Sequence, residues 1–164
     1  MMNSITGYVS KLLLRVAVAS ILGIALLVGV YCLPTARMDK NLSRSAYIFA
    51  QEGYKPSIFS WCSSELDNYT DALILLNSAY KDDGAIAKQA MNVPRNAICG
   101  VEYPSDEIVQ HYIDGKSYDG VLNYGRYWHG YLIIMKPLLF LTTYQGVRTL
   151  NAIMQICLFG VLVY

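Results

Sequence analysis

The sequence predicts a mainly α membrane protein: one N-terminal transmembrane helix, a mostly helical extracytoplasmic loop, and then a transmembrane or re-entrant helical hairpin. Three observations carry that expectation. Hydrophobic residues make up 54% of the 164-residue chain and charged residues 15%, whereas roughly a quarter of a soluble domain is charged. All twelve acidic residues fall between Asp39 and Asp119, so neither flank contains one. From Val16 to Leu33 every residue except Ser20 is apolar, small or glycine.

Residues 1–10 form a short polar N-terminus. Lys11 and Arg15 then head the first transmembrane helix, assigned to 11–34. The eighteen residues from Val16 rise about 27 Å in a helix, close to the roughly 30 Å hydrocarbon core. A cleaved signal peptide fits less well, because the run exceeds the usual core of about 7–15 residues and no small-x-small site follows it. The two basic residues put the N-terminus in the cytoplasm, and Arg15 can extend its charge back to the headgroups.

Residues 35–127 then form an extracytoplasmic loop holding nine Lys or Arg against twelve Asp or Glu. Ser43 to Glu52 reads as an amphipathic helix, lying either on the membrane surface or on the loop's own core. Leu73, Leu76 and Tyr80 are spaced as one face of a helix over Thr70 to Tyr80. Ala85 to Asn92 is a short helix closed by Pro94. Ser105, Asp106 and Glu107 open another, which Gly115 ends. The aromatic cluster Tyr124–Tyr131 marks re-entry at the interface. A second transmembrane helix is assigned to 128–144, a cytoplasmic turn to 145–148, and a third, incomplete helix to 149–164. The mostly apolar stretch of fourteen residues from Asn151 to Tyr164 falls short of the seventeen or so needed to cross, so further helices of the same protein are expected beyond it.

The formal charge of +1 sets nucleic acid aside, since binding many phosphates needs a basic stripe. Phosphate-binding glycine loops, G-x-S-x-G elbows and H-E-x-x-H are missing, as are C-x-x-C pairs and zinc spacings. Cys32 and Cys157 lie in apolar runs, while Cys62 and Cys99 share the loop and can pair in an oxidising compartment. Asn41-Leu42-Ser43 and Asn68-Tyr69-Thr70 match N-glycosylation acceptors.

The stretch that draws chemistry is Glu65-Leu66-Asp67-Asn68-Tyr69-Thr70-Asp71. Its acids head an apolar helix, and Asp67 and Asp71 are four apart, on one helical face. Such carboxylates can take a proton from an acceptor hydroxyl, or hold a divalent cation against a diphosphate leaving group. The plain alternative is helix capping, with Ser64 or Asn68 as N-cap. Arg126, His129, Lys136 and Arg148 gather at the ends of the last apolar segments. They can bind a lipid phosphate, or they snorkel and set topology. Lys136 stands out because a charge inside an apolar run faces protein or a water cavity.

The order of these features resembles the N-terminal part of a GT-C-type polytopic integral membrane glycosyltransferase. The residues that carry the resemblance are Glu65 through Ala72 in the loop, then Pro137-Leu138-Leu139 and Arg148-Thr149-Leu150-Asn151. It implies a polyprenyl-phosphate sugar donor drawn from the membrane lipid, inversion at the anomeric carbon, and Asp67 or Glu65 as the base. The acid motif is spelled Glu-Leu-Asp where many members have adjacent acids, and Trp128-His129-Gly130 stands where paired prolines are common. Two other classes fit the topology. A membrane-anchored extracytoplasmic interaction protein needs only the anchor and the folded loop, and a transporter fragment would set Lys136 against a substrate cavity.

Overall fold

A computed structural model describes residues 2–57, 59, 65–126 and 129–164. Among these the chain is mainly helical, with seven helices and one two-stranded sheet. Helix α1, Met2–Tyr31, starts nine residues before the expected 11–34. It ends just ahead of Pro34, which disfavours helix in the residue before it. Most of the described side chains of α1 are exposed; among them only Leu27 and Tyr31, in its last turns, are buried.

Helix α2, Thr35–Glu52, follows at once and is eight residues longer at its front than the Ser43–Glu52 segment expected. Gly53 stops it at a φ of 71°, where an L side chain is disfavoured, and its N–H reaches the Phe49 carbonyl. Met38, Leu42, Ala46 and Phe49 repeat at helical spacing and are all buried. Of the two settings expected for this helix, packing on the loop's own core is the one observed. That core adds Ala72, Leu75 and Leu76 from α3 (Asn68–Ala79), Ile108 from α5 (Pro104–Tyr112), Leu139 from α6 (Leu132–Leu141) and Tyr144 from α7 (Tyr144–Val163).

A second, smaller cluster joins Leu27 and Tyr31 to Ala90 of α4 (Ile86–Asn92), Val93 and Leu132. Val93 sits in the left-handed region at φ 45°, which a β-branched residue rarely adopts; its burial in this cluster offsets that strain. Strand β1, Pro94–Ala97, pairs antiparallel with β2, Gly120–Asn123. Arg95 of β1 forms a buried ion pair with Glu107 of α5, whose other oxygen accepts from the Ile98 N–H at 3.3 Å.

The last two helices differ from expectation. Residues 145–148 are not a turn but the first turn of α7, and the break falls at Thr142 and Thr143, both extended. Thr143 caps α7 through its hydroxyl, which accepts from the Gly146 N–H. Helix α6 therefore has ten residues and rises about 15 Å, half a hydrocarbon core. It is a short buried-face helix of the body rather than a span. Helix α7 has twenty residues, rising about 30 Å, so the shortness expected of 149–164 came from the misplaced turn. Among the described residues two helices, Gly7–Tyr31 within α1 and Tyr144–Val163, are long and apolar enough to cross a membrane.

Candidate functional site

The end of α2, the start of α3 and the start of α7 meet in one polar cluster. Arg148 donates from Nη1 to Glu52 Oε1 at 2.8 Å and from Nη2 to Glu52 Oε2 at 2.9 Å, the two-pronged arrangement that fits a planar guanidinium to a carboxylate. Nη2 also donates to Asn68 Oδ1 at 3.0 Å. The Asn68 amide nitrogen in turn reaches Glu52 Oε2 and the Gly53 carbonyl, at 3.0 and 2.8 Å. Burial pulls the Glu52 carboxyl upward, but the bonds from Arg148 and Asn68 and the guanidinium charge outweigh it and hold the group below the usual carboxylate range.

Tyr144 completes the cluster. Its ring stacks on Phe49 at 5.0 Å and lies under the Arg148 guanidinium at 4.5 Å. Its hydroxyl donates to Asp71 Oδ2. Glu52 thus pairs with Arg148 directly, and Asp71 joins the cluster through the Tyr144 hydroxyl.

Asp71, Tyr144 and Arg148 stand on the wall of a cleft of about 290 Å³ between α3, α6 and α7. The other walls are apolar apart from Asn151, with Ile74 and Leu75 from α3, Ile134, Met135 and Leu138 from α6, and Val147, Leu150 and Met154 from α7. Along α7, Tyr144, Arg148, Asn151 and Gln155 follow at steps of four, three and four, which sets them on one face. The polar track therefore runs from the carboxylates down a helix that is exposed and mostly apolar from Leu150 on.

The expected site residues divide among five places. Asp71 and Arg148 come together through Tyr144. Asp67 is the N-cap of α3: Oδ1 accepts from the Thr70 N–H at 3.1 Å and Oδ2 from the Thr70 hydroxyl at 2.6 Å. The Thr70 hydroxyl, then its N–H, hold the Asp67 carboxyl below its ordinary range. The cap is thus Asp67 itself, not Asn68. Ser64, the other candidate, lies outside the described residues. Glu65 is exposed, on an isolated bridge with Ser57. Arg126 and His129 line a different cleft, beside α1 and α4. Lys136 is fully buried; Nζ donates to the Ser78 carbonyl at 2.7 Å and sits 4.1 Å from the centre of the Tyr31 ring.

Sequence reasoning missed Glu52, Asn68 and Tyr144. Asn68 reaches Glu52 across 16 positions, and the bonds that join these residues to α7 and Asp71 span 73 to 96, beyond any local pattern. The pairing of Cys62 with Cys99 has one half outside the described residues; Cys99 is an exposed free thiol. Neither glycosylation motif is open. Asn41 is buried and donates to the Leu139 carbonyl at 2.8 Å, and Asn68 is fully buried in the cluster. Among the described residues no group of three or more His, Cys, Asp or Glu is arranged to hold a metal ion. No family model, curated protein or solved structure matches the chain.

Proposed function

We propose that this chain is the N-terminal, donor-side portion of a membrane-embedded glycosyltransferase that takes sugar from a polyprenyl phosphate. In this reading α1 and α7 cross the bilayer, the N-terminus is cytoplasmic and the body lies on the far side. The observation that carries the reading is the cleft between α3, α6 and α7: a carboxylate, a phenol and a guanidinium stand at one part of a space otherwise mostly apolar. A phosphate joined to a hydrocarbon chain has that same division.

Asp71, which lines the cleft, takes the base role, and Asp67 caps the helix that presents it. An acceptor hydroxyl loses its proton to Asp71 as its oxygen bonds the anomeric carbon. The bond from that carbon to the phosphate oxygen breaks, and the polyprenyl phosphate leaves with the electron pair. Arg148 has five N–H donors, of which Glu52 and Asn68 take three and the Tyr144 hydroxyl lies within reach of another, so the guanidinium keeps a donor for the phosphate.

Nanodisc-embedded protein offered a polyprenyl monophosphate and a phospholipid of equal chain mass, read by native mass spectrometry, tests this. The polyprenyl phosphate is retained preferentially, and Leu138→Trp, which fills the cleft, removes the preference. Equal retention by wild type would sink the reading. The competing interaction-module reading draws on the Arg148–Glu52 pair, which fastens α7 to the body whether or not a lipid binds.

A further inference from the structure

A second cleft lies at the far end of α3, where the turn between α3 and α4 meets the two-stranded sheet. Its volume is about 280 Å³, and its polar lining includes Asp82, Lys88, Asn92 and Asn123. Ala85, Pro94 and Val121 supply an apolar wall. Tyr80, which also lines it, stands nine residues along from Asp71, about 14 Å of helical rise. Most of α3 therefore separates this cleft from the one between α3, α6 and α7.

Part of this lining is fixed and part is uncommitted. Asp82 Oδ1 accepts from the Gly84 N–H at 2.7 Å, and Oδ2 accepts from the Tyr80 hydroxyl at 2.9 Å. Buried Gln89 ties down the same turn, its Nε2 donating to the Asp82 and Gly84 carbonyls at 3.1 and 2.9 Å. The carboxylate is therefore held in one place. By contrast, no side-chain hydrogen bond or ion pair engages Lys88, Asn92 or Asn123 among the described residues. Lys88 and Asp82 share the cleft without pairing. Asn92 serves the fold through its carbonyl, which accepts from the Tyr124 N–H at 3.0 Å, and its carboxamide is left to the cleft.

We propose that this cleft binds one neutral sugar ring. Its carboxylate only accepts, its ammonium only donates and its two carboxamides do both; a ring of hydroxyls, each able to donate and to accept, answers all four. The opposite charges of Asp82 and Lys88 leave no net charge for an ionic ligand to balance. Pro94 and Val121 offer an apolar surface for the C–H face of the ring. At about 280 Å³ the space falls just below the roughly 300–1,000 Å³ that takes drug-sized ligands, the scale of one ring and not of an oligosaccharide. The site is independent of what the α3–α6–α7 cleft binds and of how the chain is oriented in a membrane.

The full chain, purified in a detergent without a sugar headgroup, is titrated in turn with methyl glucoside, methyl mannoside, methyl galactoside and free alanine, and binding is read by saturation-transfer NMR. At least one glycoside receives saturation from the protein, and alanine receives none. Asn123→Ala weakens the apparent affinity about fivefold, the loss of one hydrogen bond, and Val121→Trp, which fills the cleft, abolishes transfer. Both positions are exposed, and an unchanged thermal midpoint shows that each variant is folded. Leu138→Trp, in the other cleft, leaves sugar binding intact. Transfer to alanine alone, a zwitterion able to bridge Asp82 and Lys88, overturns the proposal. So does glycoside binding that neither Asn123→Ala nor Val121→Trp weakens, or no transfer to any glycoside. Loss of polyprenyl phosphate selectivity with sugar binding intact overturns only the transferase reading.

Discussion

Asp67 and Asp71 are one helical turn apart and do different work. Asp67 closes the first turn of α3, so Asp67→Ala costs about 1 kcal/mol of stability while Asp67→Asn, an equally good cap, costs little. Asp71→Asn keeps the Tyr144 contact but removes the proton acceptor. On the transferase reading proposed above, sugar transfer is expected to fall at least about 100-fold in Asp71→Asn, and far less in Asp67→Asn; transfer unchanged in both would assign the acids to structure alone. Lys136 gives a separate test. Burial, and after it the charge of Lys81, push its pKa down to about 8 from 10.5. The unfolded chain therefore holds a proton that the folded chain has lost between those values, and stability rises with pH across about 8 to 10.5, by up to roughly 3 kcal/mol. The Tyr31 ring face favours the charged form and trims that rise. Denaturation of Lys136→Met should show no such climb. The oddity of a lysine in an apolar run was legible in the sequence; its partners, a carbonyl and a ring from two other helices, were not.

Helices with strong periodicity were the readable elements. Leu73, Leu76 and Tyr80 announced α3, and Pro94 announced the end of α4. The strands were not readable, because Pro-Arg-Asn-Ala and Gly-Val-Leu-Asn neither alternate nor concentrate β-branched residues. What makes the first a strand is tertiary: Arg95 is buried because Glu107 neutralises it. Glu107→Gln leaves that cation buried without its counter-charge and is expected to cost about 3–5 kcal/mol. Replacing both, Arg95→Met with Glu107→Leu, costs much less, and urea unfolding of the single and double variants measures the difference. The α6–α7 boundary was misplaced for a similar reason. Gln145-Gly146-Val147-Arg148 has the polar and glycine content of a turn, yet Arg148 belongs in a helix because its partner Glu52 waits 96 positions earlier. At the other side of the break, Asn41 covers the Leu139 and Phe140 carbonyls at 2.8 and 3.4 Å, groups that a helix end leaves without partners.

At the scale of the molecule, the division into apolar ends and a polar middle was plain from charge placement alone, and a helical body stands between two exposed apolar helices as that division implies. The orientation proposed for it is open to measurement at Cys99, with the other three cysteines replaced by serine. A membrane-impermeant maleimide should label it from the extracytoplasmic side of intact cells. The neighbouring Asp119 carboxylate raises the thiol's pKa, so Asp119→Asn should speed labelling by supplying more thiolate at a given pH; labelling only after lysis would reverse the topology. The long reach of the site's contacts also sets a timetable. Glu52 and Arg148 are 96 positions apart, Asn41 and Leu139 98, and Ser45 and Tyr144 99. At about 5–20 residues per second, roughly 5–20 s of translation separate the carboxylate from its arginine. For most of that interval Glu52 and Asn68 have neither α6 nor α7 to close over them. The site therefore closes only once α6 and the start of α7 have been made, and its completion coincides with the synthesis of the second long apolar helix.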